Sequence, residues 1–544
     1  RGPAIFFESN QPNADAAAAF GAAPRPIANS VMADVYALLS NSSDVTALTR
    51  PGLDILNIAV LDGLEDYHTP QDNIASQDLR SVQHMGDVAL AVTRRLAQQS
   101  DADVATPMVY TDIASRAFIA VPSWVGQAAL LICALIAAFA LWRAEGPGRW
   151  SALATPIATI VIAGVVSFGI GFALSILRPG EEYGFAHPEP TRAWCILSAL
   201  LAAALALFML RPNRSTEQTA AAAMLWFATI GGALSLFLPG ISILFALPSA
   251  VFAVSVLAAL AWKPAQAVGA WLAAIVALAV WGPLLFLIEL ALGFEMPFAL
   301  AVIAGMMILP WLGVLAHMRG EGRWRELAAV TALALVISVT LSALAPSMSE
   351  ARPRSLNITY FLNTTDNEAR VLAGSAERAL PEGLVGAFSA ERILPGDRFD
   401  TWAVSTPAEQ VAPPALQDLS VAHENGAWIV RGRLVMNGAY RAILRMPTSA
   451  QQLHVRMNDV LTDFADTGGE PGDFMNLACQ GRACDGATVE ITLGAQPADD
   501  WYMIGQFPGR TTPASNAFRA RRGPTATPIQ AGDGTTTLSR FRPE

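Results

Sequence analysis

His68 lies in the segment Tyr67-His68-Thr69-Pro70, just after an apolar run and among Glu65, Asp66 and Asp72. An imidazole held in a loop between carboxylates can bind a divalent metal while one carboxylate fixes its tautomer. A metal centre needs three or more protein ligands. Residues 1–117 offer one further imidazole, His84, which falls inside an amphipathic helical pattern and reads as structural. On the residues alone, His68 is open to two readings, a metal ligand or a solvated surface histidine. Elsewhere, Glu289 and His317 are the ionisable groups within apolar segments that could mark a transport path, and both lie near enough to a segment end to reach an interface.

The elements that must position His68 form an α/β pattern. Ala4–Glu8 reads as a short buried strand. Helices follow near 13–20 and 27–39, the second with Asn29 or Ser30 available as cap. Polar turns are expected at Ser40-Asn41-Ser42-Ser43-Asp44 and Arg50-Pro51-Gly52, then a second buried strand over Leu53–Leu61. After the His68 loop, Leu79, Val82, Met85, Leu90 and Leu96 recur at helical spacing and predict an amphipathic helix over about 78–98. Strand, helix and strand with long polar loops indicate an α/β sheet with functional groups at strand ends. With few strands in residues 1–117, this region reads as the carboxy-terminal part of a larger domain, in keeping with its abrupt start on Arg1-Gly2-Pro3.

Residues 118–346 are a long apolar block. It divides into about eight runs, near 122–142, 152–177, 193–210, 219–238, 241–262, 266–291, 297–318 and 326–346. Each is long enough to cross a hydrocarbon core of roughly 30 Å as a helix. Pro239-Gly240 marks either a tight turn between spans or the break of a re-entrant pair, while Gly231-Gly232 and Pro283 suit close packing or a kink. Arg143 and Arg149, Arg211 and Arg214, Lys263, and Arg319, Arg323 and Arg325 fall in alternate connections. The intervening ones carry Glu181, Glu182, Glu189 and Glu295, with Arg178 and Arg192 as their cations. Because cations are retained on the cytoplasmic face, and an even number of spans returns the chain to its starting side, both terminal regions are expected outside the cytoplasm. That side is periplasmic in a bacterium and lumenal in a eukaryote.

Composition agrees. At 53% hydrophobic and 15% charged residues the chain is too apolar for an ordinary soluble protein. Its net charge of −10 gives no basic surface and argues against nucleic acid as a partner. After Pro346 the pattern changes to short strands between Gly, Pro and Asp-rich turns: Ser355–Leu362, Trp428–Leu434, Tyr440–Met446, Leu453–Val460, Thr488–Leu493 and Trp501–Ile504. Residues 347–544 are therefore expected to form an all-β domain, a sandwich, with irregular structure from about 508. Cys479 and Cys484 bracket a short loop there that a disulfide can close in an oxidising compartment.

The segments Tyr67-His68-Thr69-Pro70-Gln71-Asp72-Asn73 and Leu79-Arg80-Ser81-Val82-Gln83-His84-Met85-Gly86-Asp87 resemble the end of the peptidase domain in membrane-bound M28-family zinc metallopeptidases. Arg1-Gly2-Pro3, Phe6-Phe7-Glu8, Pro24-Arg25-Pro26 and Ser43-Asp44-Val45-Thr46 resemble that group in order and spacing, and the resemblance continues through the apolar block into the tail. It implies a multi-domain membrane protein: a partial α/β peptidase region (1–117), a transmembrane bundle of about eight helices (118–346) and an outer all-β domain (347–544). It implies two zinc ions, with His68 matching the family's final histidine ligand and Tyr67 a tyrosine that polarises the scissile carbonyl. The other ligands and the general base are expected before Arg1, so this chain alone would be inactive. Val45 stands where many soluble members have a histidine after the Ser-Asp pair. The implied activity is aminopeptidase-like hydrolysis of peptides or proteins at a lipid bilayer. The alternative from another class is a transporter or scaffold with outer domains that bind without hydrolysis.

Overall fold

A computed structural model describes residues 2–38, 45, 53–63, 65–98, 106–210, 216–294, 296–320, 324–375, 380–458, 460–463 and 473–543. The turns expected at 40–44 and 50–52, most of the Ser43–Thr46 segment, and Arg211, Arg214, Glu295 and Arg323 lie outside them. The chain forms two compact units, one of Arg1–Leu64 with Asn73–Ser347, the other of Glu65–Asp72 with Met348–Glu544.

In the first unit, β1 (Ala4–Glu8) pairs antiparallel with β2 (Asn57–Val60), Phe6 opposite Ile58. The expected strand over Leu53–Leu61 is shorter than its apolar run, and Leu53 is exposed. Side chains alternate across a strand, and here both faces are covered. Ala4 and Phe6 pack with Phe20, Val88 and Tyr110, whereas Ile5 and Phe7 join the cluster that continues into the helical bundle. That double burial explains the uninterrupted apolar run Ala-Ile-Phe-Phe. Helices α1 (Ala14–Phe20), α2 (Ser30–Leu38) and α3 (Leu79–Leu96) flank it. Asn29 caps α2, its Oδ1 accepting the Val31 N–H at 2.9 Å, and Asp78 caps α3 through the Arg80 N–H. The stripe expected to bury α3 is turned the other way: Leu79, Val82, Leu90 and Leu96 are exposed, and Ser81, Val88 and Val92 make the buried face. A hairpin absent from the expectation, β3 (Met108–Ile113) with β4 (Ala117–Pro122), leads into the first long helix.

The apolar block folds into helices α4 (Ser123–Arg143), α5 (Arg149–Leu177), α6 (Pro188–Leu210), α7 (Thr216–Leu234), α8 (Ser242–Ala258), α9 (Ala265–Leu292), α10 (Pro297–Ile308), α11 (Leu312–Gly320) and α12 (Trp324–Leu344). Pro310 sits in a 3-10 turn that joins α10 to α11 in one apolar stretch, and Pro239–Ile241 forms a 3-10 turn between α7 and α8. Seven helices among the described residues are long and apolar enough to cross a membrane. The fourth of the eight expected spans, 219–238, coincides with α7, which is not among the seven: its first turn, Thr216-Glu217-Gln218-Thr219, is polar. That end is nevertheless buried, with Gln218 1% exposed and its side-chain amide donating to the Glu145 and Gly146 carbonyls at 3.0 and 2.9 Å. Arg192, expected in a connection, lies in the first turns of α6.

The second unit is a β-sandwich. A five-stranded sheet, β13-β12-β15-β10-β9, shares one core with a larger sheet ordered β14-β11-β16-β18-β5-β6-β8-β7. The strands are β5 (Arg354–Asn363), β6 (Glu368–Ser375), β7 (Ser389–Glu391), β8 (Thr401–Thr406), β9 (Ala415–Glu424), β10 (Ala427–Val435), β11 (Arg441–Pro447), β12 (Gln452–Met457), β13 (Val460–Asp463), β14 (Phe474–Gln480), β15 (Thr488–Leu493), β16 (Trp501–Pro508), the short β17 (Ala526–Thr527) and β18 (Gly534–Phe541). The expectation of irregular structure after 508 is overturned. Helix α13 (Pro513–Arg521) begins with a capping box between Thr512 and Ser515, and β18 runs between β16 and β5 in the large sheet. The β-branched run Thr535-Thr536-Thr537 suits that central place better than the Arg and Pro around it suggest. Cys479 and Cys484 form a disulfide; Cys133 and Cys195 are free and buried.

Candidate functional site

Residues Glu65–Asp72 belong to the second unit. The loop is a pair of tight turns: the Thr69 N–H and hydroxyl both donate to the Asp66 carbonyl, at 3.1 and 2.6 Å, and the Asp72 N–H donates to the Thr69 carbonyl at 3.0 Å. His68 sits at its turning point with φ +60°, a left-handed conformation uncommon for a residue with a side chain. The backbone is tied to the β-domain, since the Gln530 N–H donates to the His68 carbonyl at 2.7 Å and the Thr527 hydroxyl to the Gln71 side chain at 2.9 Å. Glu65 lies 3.6 Å from Arg352. Anchored through its backbone, the loop presents the Tyr67 and His68 rings to solvent, with their centroids 3.8 Å apart.

His84 is structural, as expected. Its Nδ1 accepts the Ala4 N–H at 3.0 Å, and its Nε2 lies 3.2 Å from both the Pro24 and Arg25 carbonyls, so a neutral ring protonated at Nε2 satisfies all three. No group of three His, Cys, Asp or Glu side chains among the described residues could hold a metal. Among the described residues, His68 is therefore not joined by the further ligands that a metal centre needs.

Two polar arrangements escape a reading of the sequence. Asp34 in α2 accepts the Gly240 N–H at 2.6 Å, and the Ser30 hydroxyl lies 3.4 Å from the Gly240 carbonyl, fixing the amino-terminal layer to the turn between α7 and α8. Burial pushes the Asp34 carboxyl above its ordinary range, against the lowering effect of the Gly240 hydrogen bond. A lone acid in the apolar helix Ser-Val-Met-Ala-Asp-Val-Tyr-Ala-Leu was the available signal. In the bundle, Arg192 and Glu289 form a bidentate pair, so Glu289 has a partner rather than standing alone.

No curated protein and no solved structure matches the chain. Residues 1–93, which include β1, β2, the His68 loop and most of α3, match the sequence model of Peptidase family M28. That similarity to the M28 family is confined to residues 1–93.

Proposed function

We propose that this is a membrane-embedded, zinc-dependent M28 metallopeptidase that removes residues from the amino ends of peptides or proteins. The observation that carries the reading is the family match over residues 1–93, which contains the solvent-facing Tyr67-His68 pair. In this proposal His68 supplies one imidazole to a dinuclear zinc centre completed by ligands outside the described residues. Tyr67 presents its hydroxyl to the substrate carbonyl. Exposure of both rings on a backbone held by Gln530 leaves them free to meet a metal and a peptide.

The helices hold the protein in the bilayer, with residues 1–117 and 347–544 outside the cytoplasm. Support comes from Arg143, Arg149, Lys263 and Arg319 at alternate connections, with Glu181 and Glu182 at an intervening one. This assignment counts α7 as an eighth span; with seven, the two ends would lie on opposite sides.

The test is zinc content and peptide hydrolysis of the full-length gene product, with a His68→Ala variant and with free and amino-acetylated peptides. About two zinc ions per chain, loss of metal and activity in the variant, and no cleavage of acetylated peptide are expected. A folded parent without zinc would overturn the reading in favour of a non-catalytic binding protein.

A further inference from the structure

The larger sheet of the β-domain carries a second apolar cluster on the face away from the sandwich core. Along β11, Leu444 and Met446 point into the core, which leaves Ile443 and Arg445 on the opposite face. Pairing places Ile504 of β16 against Ile443, and Asn476 of β14 against Arg445. Phe361, Ile504 and Leu538 on this outer face are buried, with Leu372, Ile393, Leu394 and Ile443 packed around them. The outer face of a sandwich strand is ordinarily polar; here the segment 392–401 overhangs an apolar floor. The cover is incomplete. A cavity of about 300 Å³ lies between them, lined also by Thr359, Thr536 and Gln506, at the small end of the ~300–1,000 Å³ typical of ligand pockets.

Arg445 stands in its wall. The side chain is 13% exposed, and its guanidinium carbon lies 5.1 Å from the centre of the Phe474 ring. Its Nε is buried without a hydrogen-bond partner among the described residues. The paired carboxylate, Asp397, is 3.8 Å away, beyond hydrogen-bond reach, and its other oxygen accepts the Leu394 N–H at 2.9 Å. Thus the aspartate is spent on shaping the overhang, while the arginine is held in place with donors to spare. Gly396, at φ +78°, lets the overhang close on it, since a Cβ there would fall 2.6 Å from the Phe474 ring and 3.1 Å from the guanidinium. An adjoining cleft is lined by Arg445 with Asp397 and Asp473, and by Arg392, which pairs with Asp400 at 3.4 Å.

We infer that this cavity is a binding site for an apolar carboxylate, its acid accepting hydrogen bonds from Arg445 and its carbon chain lying on Ile443, Ile504, Phe361 and Leu372. A planar guanidinium with unused N–H groups matches a carboxylate in geometry and charge. An apolar floor that keeps water off the chain supplies the remaining affinity. Two sources share this chemistry, a fatty acid and the carboxy-terminal residue of a peptide. The inference does not depend on the peptidase reading.

The test is calorimetric titration of the full chain in lipid nanodiscs with octanoate and with N-acetyl-leucine, each set against its neutral amide. At least one acid should bind about tenfold or more tightly than its amide, and Arg445→Gln should abolish that preference. Gly374, on the cavity floor, has nothing nearer than 3.9 Å to an added Cβ, so Gly374→Leu should fill the cavity and remove binding while the circular dichroism spectrum stays unchanged. Binding by octanoate alone assigns the site to lipid-derived acids, and by N-acetyl-leucine alone to peptide ends. Equal affinity for acid and amide, undiminished binding by Arg445→Gln, or no binding of any probe by the folded parent would overturn the inference.

Discussion

Arg192 of α6 and Glu289 of α9 meet as a fork, Nε and Nη2 each 2.6 Å from a different carboxylate oxygen, with the guanidinium also 5.5 Å over the Phe286 ring. The glutamate is 8% exposed, and the arginine keeps more contact with the surroundings. Breaking a buried pair from one side leaves an uncompensated charge, which costs more than replacing both partners.

Arg192→Met alone should therefore destabilise the bundle by about 3 kcal/mol, the lower end of the range because the arginine is partly exposed. The double variant Arg192→Met, Glu289→Leu should lose less. Unfolding of the three proteins in the same detergent checks this, and a double variant worse than the single would refute it.

The adjacent glycines of α7 are not equivalent. A Cβ on Gly231 would fall 2.4 Å from Phe245 of α8, whereas one on Gly232 meets nothing within 4 Å. Gly231→Ala is expected to cost about 1–3 kcal/mol through overpacking. Gly232→Ala should be neutral or stabilising by up to about 1 kcal/mol, because alanine favours the helix. Thermal denaturation of both distinguishes close packing from a general need for flexibility.

Asp34 gives the amino-terminal layer a pH dependence. Its folded-state pKa is raised by burial, so its protonated form is favoured on folding. Its contribution is fully present below the ordinary carboxyl value of 3.8 and is lost as pH rises through the higher folded value. Asp34→Asn keeps an oxygen for the Gly240 N–H and cannot ionise. Resistance of residues 2–38 to proteolysis should fall less between acid and neutral pH in this variant than in the parent; equal falls would show that Asp34 does not contribute.

His68 combines an unusual backbone with an exposed side chain. Asparagine tolerates the left-handed region better than alanine. His68→Asn should leave stability within about 0.5 kcal/mol of the parent, and His68→Ala should lose about 1 kcal/mol. Both should abolish hydrolysis if the imidazole holds metal. Activity that followed the stability order instead would assign His68 to the turn alone.

Legibility in the sequence followed how local each determinant is. Ala4–Glu8, the helix at 79–96 and Thr488–Leu493 carry their signals within one short window, and the structure places them close to where periodicity does. The buried face of that helix is not legible locally, because its neighbours, Phe6 and Tyr110, come from strands far apart in the chain. β9, with its sequence Ala-Leu-Gln-Asp-Leu-Ser-Val-Ala-His-Glu, is too polar to announce itself and is held by pairing with β10. The loop setting of His68 among carboxylates is legible in the sequence but leaves a metal ligand and a surface histidine equally open; the ligand role comes from the family resemblance alone. The tie from Gln71 to Thr527 spans 456 residues, beyond any local pattern.

That last tie also sets an order of events during synthesis. The segment bearing His68 is synthesised before the groups that hold its backbone, at Thr527 and Gln530, which follow the long helices and nearly all of the sandwich in the chain. The segment must wait, untethered, while the intervening polypeptide is translated. A chain that stalls or is clipped before those residues emerge would carry residues 1–93 and still lack the tether, so the held form of the loop depends on synthesis through Gln530.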